Sequence, residues 1–231
     1  MVFKSYGIRL YDRTRDNYLV IQRKHTAYMV LIMRGIFETR DLARMLEAIT
    51  EQEAAYLIKV FEGGELAYIE ASKEFDSPNY QRQSIFRWPH LRDHEDLIRR
   101  VLATADLSRN FLTWNWPKGR LEANESTLEC AIRELHEETG IDLNLLDAEI
   151  GLMTCMKSIT IQGRELYDNI YQVSVDYVDQ DIVIQTHEAA DVRWVSAQTV
   201  NLIHEHYTDD WHEVEVRDRS RRWTPSPEPS T

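Results

Sequence analysis

Apolar and polar positions alternate over residues 5–11 (SYGIRLY) and 17–23 (NYLVIQR), and the polar stretch between them, rich in Arg and Asp, reads as a turn joining two strands. A third short apolar run, 28–33, ends at Arg34-Gly35. The period then changes. Leu42, Met45, Leu46 and Ile49 share one side of a helix over 39–48, and Thr50-Glu51-Gln52-Glu53 has the form of a capping box that starts a second helix reaching about Val60. Gly63-Gly64 breaks it, 66–75 is a third helical stretch, Ser77-Pro78-Asn79 reads as a turn, and Trp88-Pro89 precedes a helix over 92–103. Further on, helical spacing over 126–139 gives way to strands over 148–158 and 167–178, with Gln162-Gly163 turning between them. A short strand at 191–195 and the start of a helix at Ala197 follow.

Helical spacing thus dominates residues 36–110 and strand spacing most of the remainder. The chain is α/β, with 1–35 and 111–216 forming a sheet-bearing domain, 36–110 a helical insertion, and the Pro- and Ser-rich 217–231 a disordered tail. The hydrophobic fraction of 43% supplies a core. No apolar run is long enough to span a bilayer, and the N-terminal residues lack the charged leader and apolar stretch of a signal peptide. Two cysteines, Cys130 and Cys155, make neither a disulfide framework nor a CxxC pattern, so Cys130 is expected to pack rather than react. A soluble protein of a reducing compartment is expected.

Net charge changes the picture through its distribution. The total of −12 argues against a general nucleic-acid coat. Residues 1–120 carry 19 Lys+Arg and 16 Asp+Glu, a formal +3, while 121–231 carry 8 and 23, a formal −15. An anionic substrate would draw its cationic contacts from the first part.

The candidate chemistry is concentrated in 114–141, WNWPKGRLEANESTLECAIRELHEETGI. On a helix at about 100° per residue, Leu128, Ala131, Ile132, Leu135 and Thr139 fall on one face, and Glu134, Glu137 and Glu138 cluster beside them at i, i+3 and i+4. Three carboxylates so placed repel one another unless a cation sits among them. Their hard oxygens suit a divalent ion such as Mg2+ or Mn2+. Gly140 is a natural helix stop.

The stretch fills the pattern G-x5-E-x7-R-E-U-x-E-E-x-G-U, with U aliphatic, at Gly119, Glu125, Arg133, Glu134, Leu135, Glu137, Glu138, Gly140 and Ile141. It therefore resembles the Nudix pyrophosphohydrolases. The resemblance implies an α/β/α sandwich around a mixed sheet, here with a predominantly helical insertion before the motif. Trp116-Pro117-Lys118-Gly119 and the helix sequence look like those of messenger-RNA decapping enzymes. Gln22-Arg23-Lys24, Arg34-Gly35 and the helical insertion resemble the layout of the decapping branch of large DNA viruses. By that resemblance Glu134, Glu137 and Glu138 match the metal-binding positions, Gly119 lends a carbonyl, and Glu125 pairs with Arg133 to support the loop. Glu188, after His187 and before the late strand, completes the metal site or serves as general base, with Asp191 as its competitor. Lys118 and Arg120 meet phosphate oxygens.

Capped mRNA is the partner the resemblance implies, in the cytoplasm, or the host cytoplasm if the chain is viral. Oligomeric state stays open. Cap recognition needs aromatic faces for a methylated guanine and an acid for its edge; the candidates are Tyr28, Phe37, Tyr167 and Tyr171, with Asp168 for the edge. Arg99 and Arg100 on the last helix of the insertion are the RNA-binding candidates. Nucleoside or dinucleoside polyphosphates and diphosphoinositol polyphosphates are the alternative substrates, and a non-enzymatic binding module is a third reading, weakened because all motif glutamates are present.

Overall fold

The computed structural model describes residues 3–75, 84–160, 162–163, 165–184, 189–200 and 212–216. The chain divides into two compact units, Met1–Arg23 with Trp114–Thr231, and Lys24–Thr113.

The first unit is a mixed sheet. Strands β1 (Phe3–Asp12) and β2 (Asn17–Arg23) meet antiparallel only beside their turn, at Tyr11↔Tyr18 and Asp12↔Asn17. Beyond that they part, and the segment leading into the motif enters between them. Its two short strands divide the work: β3 (Trp114–Asn115) pairs with β2 and β4 (Lys118–Gly119) with β1. Gly7 makes this possible, because a Cβ there would lie 2.3 Å from the Pro117 carbonyl oxygen and 2.4 Å from Lys118 Cβ. The Ile8 amide donates to that same carbonyl at 3.0 Å. On the other side of β1 lies the parallel strand β6 (Glu165–Val175), followed by antiparallel β5 (Ala148–Ile159) and β8 (His212–Val216); β7 (Ala189–Ser196) pairs with β2.

Strand alternation sorts the apolar side chains onto two faces. Ile8, Leu10, Leu19, Ile21, Val173 and Val175 face one cluster together with Ala131 and Leu135 of the helix α6 (Thr127–Thr139). Val20, Ile170 and Trp116 face another with Val200, where residues 197–200 turn helical. Strand β5 contributes Ile150 to the first and Met156 to the second, although both numbers are even. A register shift between Ile150 and Met153 adds one residue and reverses the strand's facing. A mixed sheet with helical residues in both clusters, this is the expected α/β/α architecture, and the expected helical insertion lies in the second unit.

The second unit is helical: α1 (Ala27–Met33), α2 (Thr39–Leu46), α3 (Glu51–Phe75), α4 (Ser84–Arg92) and α5 (Glu95–Leu102). The apolar run 28–33, grouped with the strands on its sequence, is helix. A short apolar run has no period that separates the two states; the Thr26 hydroxyl, which accepts from the Met29 amide, decides it, and Met29, Ile32 and Met33 are buried at helical spacing. The capping box is present, since the Thr50 hydroxyl accepts from Glu53 N at 3.2 Å while Glu53 accepts from Thr50 N at 2.9 Å. Glu53 also accepts from Thr26, tying the start of α1 to the start of α3. Helix α4 carries Pro89 inside it, which is why its sequence reads as the approach to a helix.

The charge of this unit corrects the reading of the first half. Lys24–Thr113 holds 12 Lys+Arg and 14 Asp+Glu, a formal −2, whereas residues 1–23 and 114–120 together hold 7 and 2. The cationic excess belongs to the strands and the motif loop. Arg99 is moreover paired to Glu95 at 2.7 Å on its own helix, while Arg100 is exposed.

Among the described residues no helix is long and apolar enough to cross a membrane. Helix α3 kinks at Gly64, whose φ of 69° and ψ of −156° suit glycine almost alone. A Cβ there would meet no atom within 4 Å, so only the backbone objects. Gly64→Ala should therefore cost about 1–3 kcal/mol, read as a lower thermal or urea midpoint; an unchanged midpoint would show that the kink is not required.

Candidate active site

Helix α6 is built to carry the motif carboxylates at a fixed height. Its Ser126 hydroxyl accepts from Glu129 N at 3.2 Å and Glu129 accepts from Ser126 N at 2.7 Å, closing a capping box. Gly140, at φ 76°, ends it, its amide donating to His136 O at 2.8 Å. Cys130, Ala131, Leu135 and Thr139 are buried, and Ala131 and Leu135 pack into the apolar cluster of the sheet. The three glutamates differ in setting: Glu138 is 4% exposed, while the side chains of Glu134 and Glu137 are 14% and 48% exposed.

The cation that their mutual repulsion calls for is Arg133. Its guanidinium is bidentate on Glu125, through Nε at 3.1 Å and Nη2 at 2.9 Å, and its Nη1 reaches Glu134 at 2.8 Å and Glu137 at 2.9 Å. Nη2 also donates to the Arg120 carbonyl at 3.0 Å. These bonds raise the guanidinium's pKa further and, with the Glu122 amide at 2.6 Å, pull the Glu125 carboxyl down to about 2. Burial pushes the Cys130 thiol up to about 12, which fits a packing residue and not a nucleophile.

The loop before the helix is pinned onto it. Lys118 N donates to Glu138 Oε2 at 2.9 Å. A Cβ on Gly119 would fall 2.0 Å from the Glu134 carboxyl, so only glycine lets the backbone lie against that carboxylate. The Lys118 ammonium is buried and paired with Asp168, whose other oxygen accepts from the Ser5 hydroxyl. Burial lowers the Lys118 pKa; it would raise that of Asp168, but Lys118, Ser5 and Arg23 together hold Asp168 below its ordinary value. Arg120 is exposed, its guanidinium 5.5 Å from the centre of the Phe3 ring.

The remaining candidates scatter. Tyr171 shares a 2.7 Å hydrogen bond with Thr127 at the start of α6, and Tyr167 donates to Glu165 at 3.1 Å with the Lys157 ammonium 5.6 Å from its ring centre. Tyr28, Phe37, Arg99 and Arg100 belong to the helical unit, where Phe37 is buried and stacked on His90 at 4.7 Å. Asp191 caps its own neighbour, accepting from Val192 N, and pairs with Arg193 at 2.6 Å. Glu188 lies outside the described residues. Sequence reasoning missed Ser5, which carries no motif and is brought to Asp168 by the parallel register Ser5↔Asp168.

The donor set suits a hard divalent cation: the Glu134 carboxylate against the Gly119 backbone, with the Glu138 carboxylate on the same loop. Among the described residues, no three His, Cys, Asp or Glu side chains converge on one point; Arg133 stands between Glu134 and Glu137.

Because Arg133 is what depresses Glu125, Arg133→Met should return the Glu125 carboxyl towards its ordinary 4.5, followed by NMR titration of side-chain carboxyls. The depressed group stabilises the fold above the unfolded pKa and loses that contribution as pH falls towards about 2, so the wild type should outlast the variant through the window between 4.5 and 2. Loss of the charged hydrogen bonds should cost about 2 kcal/mol near neutral pH. Coincident titration and denaturation curves would refute the arrangement.

A family model described as the NUDIX domain matches residues 91–215, more than half of the chain. The chain is 32% identical over 108 residues to "mRNA-decapping protein g5R" of African swine fever virus, covering 41% of this chain and 42% of that one. It is 41% identical over 70 residues to "Putative hydrolase 111R" of invertebrate iridescent virus 3, covering 29% and 34%. The matched stretches thus span less than half of either relative. A solved C. elegans Ap4A hydrolase aligns with TM-score 0.44 and 13% identity over 88% of this chain and 86% of that one. With the motif complete on its capped helix and the family match covering most of the sheet unit, the chain belongs to the Nudix family of hydrolases.

Proposed function

We propose that this Nudix hydrolase removes the cap from messenger RNA, releasing 7-methyl-GDP and a 5′-monophosphate RNA. The observation that carries the reading is the similarity to a viral decapping protein, 32% identical over 108 residues, in a chain that keeps every motif carboxylate. Nudix hydrolases generally depend on a divalent metal. In this proposal Glu134, Glu137, Glu138, the Gly119 carbonyl and Glu188 hold Mg2+ or Mn2+, which supplies charge neutralisation to the pyrophosphate oxygens. Where Glu188 serves instead as the base, it takes the proton of the attacking water as the water oxygen bonds to phosphorus and the bridging P–O bond breaks. Arg133 keeps the helix and the loop in register throughout, and Arg120, exposed beside Gly119, meets phosphate oxygens.

One observation favours the second reading, hydrolysis of a small nucleoside polyphosphate or diphosphoinositol polyphosphate. The helical unit Lys24–Thr113, which contains the insertion that would hold the RNA body, has a formal charge of −2, and Arg99 is already ion-paired. A polyanion has little general attraction to it.

The deciding assay offers capped RNA, free cap analogue, a dinucleoside polyphosphate and a diphosphoinositol to the purified chain in Mg2+ and in Mn2+. Decapping predicts that capped RNA is the best substrate and that Arg99→Glu with Arg100→Glu reduces its advantage over the free analogue, with binding that weakens steeply with salt. Equal cleavage of analogue and capped RNA, or preference for the dinucleotide, gives the function to the small substrates. Glu138→Gln and Glu188→Gln should each lower turnover by about 100-fold or more in folded protein. An inactive Asp191→Asn beside an active Glu188→Gln would move the late carboxylate to Asp191.

A further inference from the structure

We propose that Asp168 is a positioning residue for this hydrolysis, acting through Lys118 on the loop that faces Glu134 and Glu138. The inference rests on the metal-dependent hydrolase reading above, though not on which pyrophosphate is cut. Asp168 sits on β6 in register with Ser5 of the parallel strand β1. One of its oxygens accepts from the Ser5 hydroxyl and the other from the Lys118 ammonium. Both oxygens are thus engaged inside the protein, in side chains only 20% and 8% exposed for Asp168 and Lys118.

An ammonium this deeply buried is costly without a counter-charge, so the pair fixes where Lys118 can stand. The same residue's amide donates to Glu138 Oε2 at 2.9 Å, and the next residue, Gly119, lies against the Glu134 carboxylate. The chain of contacts runs Ser5, Asp168, Lys118, Glu138. One residue earlier, the loop is held by backbone alone, with Ile8 N on the Pro117 carbonyl at 3.0 Å. Removing the Asp168 charge leaves that backbone anchor and the pairing of Lys118–Gly119 with β1 in place, and removes the side-chain hold that fixes Lys118 against Glu138. Such partners of metal ligands commonly contribute about 10- to 100-fold in affinity or rate.

The test compares the full-length wild type with Asp168→Asn, Asp168→Glu and Ser5→Ala. Mn2+ affinity is measured by electron paramagnetic resonance on protein without substrate, beside kcat and KM for a dinucleoside polyphosphate and for capped RNA. Asp168→Asn should weaken Mn2+ binding at least about 10-fold and lower kcat on both substrates by a similar factor, with KM within about 2-fold. Ser5→Ala should shift both in the same direction by about 3-fold, and Asp168→Glu, which keeps the charge, should recover most of the loss. Unchanged Mn2+ affinity in folded Asp168→Asn overturns the proposal, and so does a loss confined to KM for capped RNA, which would make Asp168 a contact for the cap. Should Asp168→Asn fail to fold, Ser5→Ala decides alone, and wild-type Mn2+ affinity in it overturns the proposal. A wild type that binds Mn2+ but hydrolyses neither substrate refutes the proposed function, whereas the Mn2+ affinities still judge the link from Asp168 to the glutamates.

Discussion

The guanidinium of Arg133 is the interaction on which the motif depends. Three acidic side chains and a carbonyl are bound by this one group: Glu125, Glu134, Glu137 and the Arg120 oxygen. A helix carrying glutamates at i, i+3 and i+4 would otherwise be strained by their repulsion. A planar fork of donors can satisfy Glu125 with one edge and bridge Glu134 and Glu137 with the other, which a lysine ammonium cannot reproduce. The same group joins the loop to the helix, because Glu125 and the Arg120 carbonyl belong to the segment before the N-cap. Helix stability, loop position and the electrostatics of the site are therefore one arrangement.

That arrangement is useful only if the loop reaches it, and the sheet provides the way in. Strands β1 and β2 pair for two residues and then separate, so β3 and β4 find open edges on each. Gly7 removes the side chain that would block Pro117, and Gly119 removes the one that would block Glu134. Two glycines, on different strands, set the two close approaches between which Lys118 is caught. Its ammonium is buried, and Asp168 supplies the counter-charge.

How much of this is legible in the sequence follows from what kind of signal each part leaves. The motif helix, with its stop at Gly140, is written in local spacing, as are the capping box at Thr50 and the kink at Gly63-Gly64. The parallel register that puts Ser5 beside Asp168 leaves no local trace, since the two residues are 163 positions apart. Strands of two residues, β3 and β4, have no period to detect. The bulge in β5 inverts which side chains face the core midway along a strand whose pattern therefore reads as imperfect alternation. For 28–33, composition favoured neither state and a single hydroxyl at Thr26 settled it. The resemblance places Lys118 against phosphate oxygens, and its burial, with its ammonium paired to Asp168, leaves no local trace because it follows from the split of β1 and β2, a tertiary event.

The distribution of charge bears most directly on how an anion would be met. Read along the chain, the cations of residues 1–120 merge into one basic half, and a long helical insertion within that half looks like its natural owner. Divided by unit, the helical unit is slightly acidic at −2 and the sheet unit carries −10, with a local cationic surplus on β1, β2 and the motif loop. Part of that surplus is neutralised internally, Arg13 by Glu149 and Asp176, Arg15 by Asp12 and Lys118 by Asp168. What is left exposed near the motif includes Lys4 and Arg120, close in sequence to Ser5 and Gly119. On the sheet unit an anion would meet those two cations, since the motif helix itself carries Glu129, Glu134, Glu137 and Glu138 against Arg133. If the insertion contributes to a long substrate, it must do so through individual groups such as Arg100, through stacking, or through shape. Stacking and shape depend little on salt, whereas a phosphate contact through the exposed Arg100 weakens as salt rises, so a salt titration of substrate binding separates the ionic share from the rest.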